Sequence, residues 1–115
     1  MAESIIQQKS FAFALEIVEL YRSIVAHHEY VISKQLLRSG TSIGANVEEA
    51  GAGISRKDFR SKMAIALKEA RETKYWLRIL KESKLVNVDV SNELAHVHEI
   101  VLILSSIVKT TGEDL

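Results

Sequence analysis

The sequence predicts an all-α protein, an antiparallel four-helix bundle with up-down-up-down topology, and three observations lead to this prediction. The chain of 115 residues contains no proline, so its helices can run long and unbroken. Apolar residues recur at spacings of three and four along four segments, which is the pattern of amphipathic helices. The joints between these segments are short, and short joints favour antiparallel neighbours. No segment alternates apolar and polar residues for long enough to form a sheet.

The first helix is predicted over residues 4–26, where apolar side chains recur on one face. Ile17 and Ile24 widen this apolar stripe beyond a single face. The polar run 27–29 is predicted to form the turn into the next helix. The residues of the predicted inward face are Phe11, Leu15, Val18, Leu20, Tyr21 and Val25.

The second helix is predicted over residues 31–50 and has unusually small side chains at its centre. Gly40 and Gly44 lie in its interior, where a glycine costs about 1 kcal/mol relative to alanine. Small residues let helix backbones approach closely, so we expect both glycines at a helix-packing or assembly contact. Gly51 and Gly53 are expected to end the helix by adopting positive φ. The predicted apolar face consists of Ile32, Leu36, Ile43, Val47 and Ala50.

The third helix, predicted over residues 56–83, has a regular apolar seam and further apolar residues beside it. Ser55 and Asp58 resemble a capping box in which aspartate replaces the usual glutamate. Tyr75 and Trp76 lie off the seam, which makes this helix a candidate for contacts between subunits. The seam itself consists of Phe59, Met63, Ala66, Ala70, Thr73, Leu77 and Leu80.

The fourth helix is predicted over residues 90–110. Asn87 or Asp89 is the candidate N-cap, and Gly112 is interpreted as a stop signal. The valine-rich run 85–90 is too short for a strand between such neighbours and is interpreted as a turn. The acidic tail 113–115 is expected to fray. The seam of this helix consists of Val90, Leu94, Val97, Val101, Leu104 and Val108.

Composition predicts one globular domain covering residues 1–115. Hydrophobic residues make up 47% and charged residues 26% of the chain, which are ordinary values for a soluble protein. The absence of cysteine excludes disulfides and thiolate metal sites. The N-terminal sequence does not resemble a signal peptide, and no apolar stretch approaches the roughly 20 residues of a membrane span. A cytoplasmic protein with no membrane partner is therefore expected by default.

Charge is unevenly distributed although the net charge is zero. Residues 51–84 contain ten Lys/Arg and four Asp/Glu, a net charge of +6. Residues 1–50 carry a net charge of −2, and residues 85–115 carry −4. One basic segment therefore lies within a neutral protein.

Two separated motifs resemble a bacterial family of four-helix-bundle proteins, often encoded within intervening sequences of large-subunit ribosomal RNA genes. The first is the run 35–50, QLLRSGTSIGANVEEA, and the second lies within 62–80 and includes ALKEARET and YWL. The resemblance implies bundles that assemble into barrel-shaped homopentamers, and it supplies no catalytic residues. A related protein, the accessory variability determinant of diversity-generating retroelements, binds nucleic acid and a reverse transcriptase through a basic surface. This chain differs from that strongly basic type in having no net charge.

The bases of the third helix and its start are the candidate nucleic-acid-binding residues, because clustered cations attract phosphate backbones. The alternative is a solvated helix face with internal ion pairs to Glu69 and Glu72. Positions 71, 74, 78 and 81 align on one face, whereas 57 need not share it. The candidate residues are Arg56, Lys57, Arg60, Arg71, Lys74, Arg78, Lys81 and Lys84.

Metal and catalytic sites find little support in the sequence. A carboxylate cluster between helices two and three, from Glu48, Glu49, Glu69 and Glu72, would suit a di-iron bundle. Such bundles use the Glu-x-x-His motif twice, but here it occurs only at 93–96. His96 and His98 diverge on a helix, so no metal, cofactor or catalytic residue is predicted.

Asn46 has two interpretations that the sequence leaves open. A buried asparagine can fix helix register or assembly state. Alternatively, its side chain binds nearby backbone.

These patterns together predict a non-enzymatic, homo-oligomeric interaction module, which the family resemblance indicates is a pentamer. Its predicted partners are RNA, DNA or a ribonucleoprotein, bound through the basic face of the third helix. The alternative is a scaffold that binds a protein partner and has no role with nucleic acid.

Overall fold

The computed structural model describes residues 3–113, which form four α-helices and no strand. α1 spans Ile5–Ala26, α2 spans Ile32–Gly51, α3 spans Arg56–Ser83 and α4 spans Ser91–Glu113. The all-α prediction is confirmed, and no helix end differs from the predicted one by more than three residues. Of the tail expected to fray, Glu113 ends α4, while residues 114–115 lie outside the described part.

The four helices surround one core, and each packs against its two neighbours in the order α1, α2, α3, α4. Gly40 of α2 lies against Ile17 of α1, while Gly44 lies against Ser10. Rising residue numbers on one helix therefore meet falling numbers on the next, which is antiparallel packing. The seams predicted for α2, α3 and α4 lie in or against this core.

The inward face predicted for α1 is wrong in part. Phe11 is 62% exposed and Leu15 is 55% exposed, whereas Ile17 and Ile24 are fully buried. Apolar residues occur around much of this helix, so their spacing alone did not select the buried side. The glycines of α2 determine which side of α1 is buried, because they leave room for the face that carries Ile17. The buried residues of α1 are Ile6, Ser10, Phe13, Ile17, Leu20 and Ile24.

Gly40 and Gly44 lie at a tight contact between α1 and α2, within the bundle itself. A Cβ atom on Gly40 would lie 2.8 Å from Ile17 Cγ2, closer than real Cβ contacts. A Cβ atom on Gly44 would lie 3.3 Å from the backbone oxygen of Ser10. A larger side chain at either position would therefore separate the two helices.

The glycines that were predicted to end helices do not do so in the structure. No glycine in residues 3–113 adopts positive φ, and Ala52, with φ −97°, forms the C-cap of α2. Positive φ occurs instead at His28 and Lys84. Gly112 does not stop α4 but lies inside it. Its missing side chain leaves room for Arg60, whose guanidinium nitrogens would lie 2.8 Å from a Cβ atom there.

Side-chain caps hold the helix starts. The Glu29 carboxylate accepts hydrogen bonds from the backbone N–H of Val31, at 2.9 Å just before α2, and from those of Ile32 and Ser33 in its first turn. Ser55 Oγ accepts from the backbone N–H of Asp58 at 3.1 Å, as predicted. Asp89, one of the two candidate caps of α4, accepts from the Ser91 N–H at 2.9 Å. The 85–90 run is a turn, as predicted.

α4 is long enough and apolar enough to cross a membrane, which corrects the sequence-based expectation. Core helices of soluble proteins meet the same criterion, so length and composition do not decide between the two. In the bundle, Val97, Ile100 and Leu104 of this helix are buried in the core.

Candidate nucleic-acid interface

Two carboxylates of α3, Glu69 and Glu72, point towards α2 and away from the bases of their own helix. Arg38 Nη1 lies 3.3 Å from Glu69 Oε2, and Arg38 Nη2 also bonds Glu72. The indole N–H of Trp76 donates to the same Glu72 oxygen at 3.0 Å. The predicted internal ion pairs between these glutamates and the α3 bases are therefore wrong. The carboxylate cluster is also absent from the described residues, because Glu49 pairs instead with Lys62 at 3.4 Å.

Four cations of α3 form a row along the side that faces α4. Arg71, Lys74, Arg78 and Lys81 follow one another at steps of three, four and three, which keeps them within about 80° around the helix axis. Lys74 is half-buried and the other three are exposed. None of the four forms an ion pair with another residue of the described chain. We call these residues the α3 basic row.

His98 of α4 meets the centre of this row. Its Nδ1 lies 3.3 Å from Lys74 Nζ. Lysine can only donate hydrogen bonds, so Lys74 is the donor and His98 Nδ1 the acceptor in this pair. We call the space between the row and the His98 face of α4 the α3–α4 groove.

Among the described residues, the α4 side of the groove lacks carboxylates. Residues at helical spacing from His98 share its side of α4. They are Ser91, Leu94, Ala95, Val101, Leu102 and Ser105. Glu99, the next residue along, pairs with Lys9 of α1 at 2.6 Å.

Within the part of the chain that the structure describes, acidic residues approach the groove only at its end near the α3–α4 turn. A surface pocket there is lined by residues that include Lys81, Lys84, Asp89 and Ser91. Hydrogen bonds from Ser91 lower the pKa of Asp89, so this carboxylate stays ionised beside the two lysines. Glu82 is exposed on the neighbouring turn of α3. The uninterrupted part of the row is therefore Arg71 to Arg78.

The remaining predicted bases lie apart from the row. Arg60 is about 16 Å along the helix from Arg71. Its Nε donates to the Val108 carbonyl at 3.2 Å, which gives it a structural role between α3 and α4. Arg56 and Lys57 lie at the start of α3, beyond Arg60. Lys84 forms the left-handed C-cap of α3, with φ 54°.

The sequence pattern of the 23S rRNA-intervening sequence protein family matches residues 2–106. The chain belongs to that family. It is also similar to a protein of unknown function from the S23 ribosomal protein family of Bacteroides thetaiotaomicron, known from a crystal structure. The two are 45% identical with a TM-score of 0.84, over 91% of this chain and 99% of the other. A comparison with curated proteins gives no match.

Tyr75, Trp76 and Asn46, which the sequence predicted for helix packing or assembly, differ from one another in their surroundings in this intervening-sequence family protein. Tyr75 is 57% exposed, and its ring contacts Trp76 edge-on with centroids 5.5 Å apart. Trp76 itself is half-buried against the core. Asn46 Nδ2 donates to the Ser42 carbonyl at 2.9 Å. This contact supports the local backbone interpretation of the asparagine.

The sequence analysis did not identify an exposed pair of apolar residues on α1 as a candidate surface. Phe11 and Leu15, one helical turn apart, project from its outer side. Leu102 on α4 is also exposed. The sequence did indicate such a surface, because the first helix contains more apolar residues than one buried face needs.

The α1–α4 seam carries a second group of titratable side chains. Glu16 accepts from His96 Nδ1 at 2.8 Å. Burial raises the pKa of Glu93, and the nearby charges of Glu16 and Asp89 raise it further. The hydrogen bond from Lys9 lowers the pKa of Glu99. No group of three or more His, Cys, Asp or Glu side chains within residues 3–113 is arranged to hold a metal ion.

Proposed function

We propose that this protein is a non-enzymatic, homo-oligomeric interaction module that binds nucleic acid, alone or within a ribonucleoprotein, through the α3 basic row. One observation carries the proposal. Within residues 3–113 the row has no carboxylate partner, and Arg38 holds Glu69 and Glu72 on the opposite side of α3. Cations that are not neutralised within the protein attract phosphate backbones and release their counterions on binding.

Titration of labelled RNA and DNA with the protein, at low and at moderate salt, tests this proposal. Each phosphate that is neutralised makes the slope of log affinity against log salt concentration more negative by about 0.7 to 0.9. Engagement of the whole row therefore predicts a slope of about −3 per protomer. Absence of salt-sensitive binding at micromolar protein would contradict the proposal.

Self-association forms the second part of the proposal, with a homopentamer as the expected state. The exposed apolar side chains of Phe11, Leu15 and Tyr75 support it, since such residues are enriched where proteins associate. A ring would repeat the basic row and raise affinity through multivalency. Light scattering should give five times the 12.9 kDa chain mass. A monomer at micromolar concentration would contradict this part.

A scaffold that binds a protein partner, with no role with nucleic acid, is the second candidate function. The outward apolar pair of Phe11 and Leu15 favours it, because the same surface could bind a different chain. Purification of the tagged protein from its native cell distinguishes the two candidates. A stoichiometric protein partner without nucleic acid supports the scaffold, whereas nuclease-sensitive co-purification supports nucleic-acid binding.

A further inference from the structure

We propose that Tyr75 is a base-stacking residue beside the α3 basic row, and that the ligand of this surface is single-stranded nucleic acid. The inference rests on the proposed function and adds to it the class of strand that the surface selects. Cations alone attract the phosphates of any nucleic acid. An aromatic face beside them selects a strand whose bases are free to stack on it.

Tyr75 lies between the two arginines of the row. Arg71 precedes it by four residues and Arg78 follows it by three, so the three side chains leave α3 within about 60° around the helix axis. Each arginine is about one helical turn from the tyrosine, and all three residues are exposed. A nucleotide stacked on Tyr75 would therefore have a cation on either side for its flanking phosphates.

The phenol ring of Tyr75 has a free face. Its side chain is 57% exposed, and its ring meets the Trp76 ring at an interplanar angle of 64° with centroids 5.5 Å apart. In an edge-to-face pair, the edge of one ring covers at most one face of the other. Trp76 is the only aromatic ring of residues 3–113 in contact with Tyr75. At least one face of the Tyr75 ring is therefore open to a base.

Trp76 braces the tyrosine ring from the side of the bundle. Its indole is half-buried against the core and donates to Glu72 at 3.0 Å, and Glu72 in turn bonds Arg38 of α2. These contacts hold Trp76 in place and restrict the ring beside it. A side chain that is ordered before binding loses less conformational freedom when the ligand arrives. The same contacts neutralise Glu72, the carboxylate nearest to Tyr75 in sequence.

The charges along the Tyr75 side of α3 indicate where the strand runs. Lys68, two turns before Tyr75 on the same side, is exposed and forms no ion pair with another residue of the described chain. Glu82, two turns after Tyr75 on that side, is an exposed carboxylate that repels phosphate. The strand is therefore expected to extend from Tyr75 towards Lys68, away from the α3–α4 turn.

A duplex cannot use the tyrosine in this way. Its phosphates are available to the row, but its bases are stacked on one another and their faces are not free. Tyr75 therefore contributes to binding only when the ligand is single-stranded. Because every base has a face that can stack, the preference for particular bases should be weak.

The test compares a labelled single-stranded oligonucleotide with a duplex of equal length at low salt. Tyr75→Ala should bind the single strand about five- to a hundredfold more weakly, because stacking is lost. Its affinity for the duplex and its salt slope should not change, because no cation is removed. Tyr75→Phe should keep most of the single-strand affinity, since it keeps the ring. Tyr30→Ala is the matched control, because Tyr30 is also 57% exposed but lies before α2. It should bind as the wild type does.

The outcomes separate this inference from the proposed function. If Tyr75→Ala binds single strands as tightly as the wild type, the stacking role is refuted while nucleic-acid binding stands. An equal loss for single strand and duplex also refutes it, since such a loss does not depend on free bases. If neither the wild type nor any variant binds, both proposals fall. Light scattering of Tyr75→Ala should give the wild-type mass, and a smaller mass would assign Tyr75 to a contact between subunits and overturn the stacking role.

Discussion

Arg38 of α2 holds the carboxylate of Glu72 on the side of α3 away from the basic row. The same guanidinium also lies 3.3 Å from Glu69, whose side chain is only 14% exposed. Glu69 and Glu72, two of the three α3 carboxylates nearest the row in sequence, are thereby neutralised by another helix. One arginine thus stabilises the α2–α3 contact and keeps these two carboxylates away from the row.

Replacing Arg38 should weaken both the fold and the proposed interaction. In Arg38→Gln, Glu69 and Glu72 lose their cation, and we expect the free energy of unfolding to fall by about 1 kcal/mol, since the pair is partly exposed. Urea denaturation followed by Trp76 fluorescence measures this, because the indole N–H bonds Glu72. The double variant Arg38→Gln/Glu72→Gln should regain part of the loss. A double variant without any recovery would show that the unpaired Glu72 carboxylate is not the source of the loss.

The close approach of α1 and α2 predicts opposite effects for two glycine substitutions. Gly40→Ala should destabilise the protein by about 1–3 kcal/mol, because its Cβ would collide with Ile17. Gly51→Ala is the control, since the nearest atom there is the flexible Gln7 amide at 3.3 Å. Helix propensity predicts that this change is neutral or stabilises by up to about 1 kcal/mol. Thermal denaturation distinguishes them, and equal stability of the two variants would argue against tight packing at Gly40.

Gly44→Leu should be more damaging still. The new side chain would have to displace the backbone of Ser10, which cannot rotate away as a side chain can. We expect a loss of several kcal/mol or failure to fold, as for severe overpacking. Circular dichroism and light scattering measure the result. Wild-type stability and mass would show that Gly44 is not at a tight contact.

The left-handed C-cap of α3 predicts a stabilising change. Lys84 has φ 54°, a conformation that glycine adopts without steric cost. Lys84→Gly should therefore raise the free energy of unfolding by up to about 1 kcal/mol. Lys81→Gly, within the last turn of the same helix, should lower it by about 1 kcal/mol. Chemical denaturation of both variants tests this, and a loss of stability in Lys84→Gly would contradict the assigned conformation.

The half-buried carboxylate of Glu93 predicts a pH-dependent effect on stability. Burial raises its pKa in the folded state, so ionisation on going from acid to neutral pH costs stability. Glu93→Gln should be more stable than the wild type at about pH 7, and the gain should shrink towards about pH 4, where the wild-type carboxyl is protonated. Glu82→Gln, at an exposed site, should show no such trend. A gain in Glu93→Gln that is independent of pH would refute ionisation of the buried carboxyl as its cause.

The helices could be predicted from the sequence because apolar spacing and the absence of proline act locally. The buried side of α1 could not, because Phe11 and Ile17 are equally apolar and the choice between them depends on Gly40 of another helix. The continuation of α4 through Gly112 could not be predicted from the sequence either, because it depends on another helix. Arg60 of α3 occupies the space that a side chain at Gly112 would need.

The candidate site was predicted only in part for a similar reason. The alignment of positions 71, 74, 78 and 81 follows from helical geometry alone. The partners of Glu69 and Glu72 depend on Arg38, which is more than 30 residues away in sequence. His98 acquires its relation to Lys74 only when α3 and α4 pack together.

Nucleic-acid binding through the α3 basic row is tested most directly by two charge-matched double variants in a titration with labelled RNA at low salt. Arg71→Gln/Arg78→Gln removes two cations of the row, whereas Arg22→Gln/Lys34→Gln removes two exposed cations of α1 and α2. Both proteins should keep the stability and mass of the wild type. We expect the first pair to weaken binding at least about tenfold and to lower the salt slope by about two, with little change for the second. Equal loss of affinity in both variants, or none in the first, would contradict binding through the row.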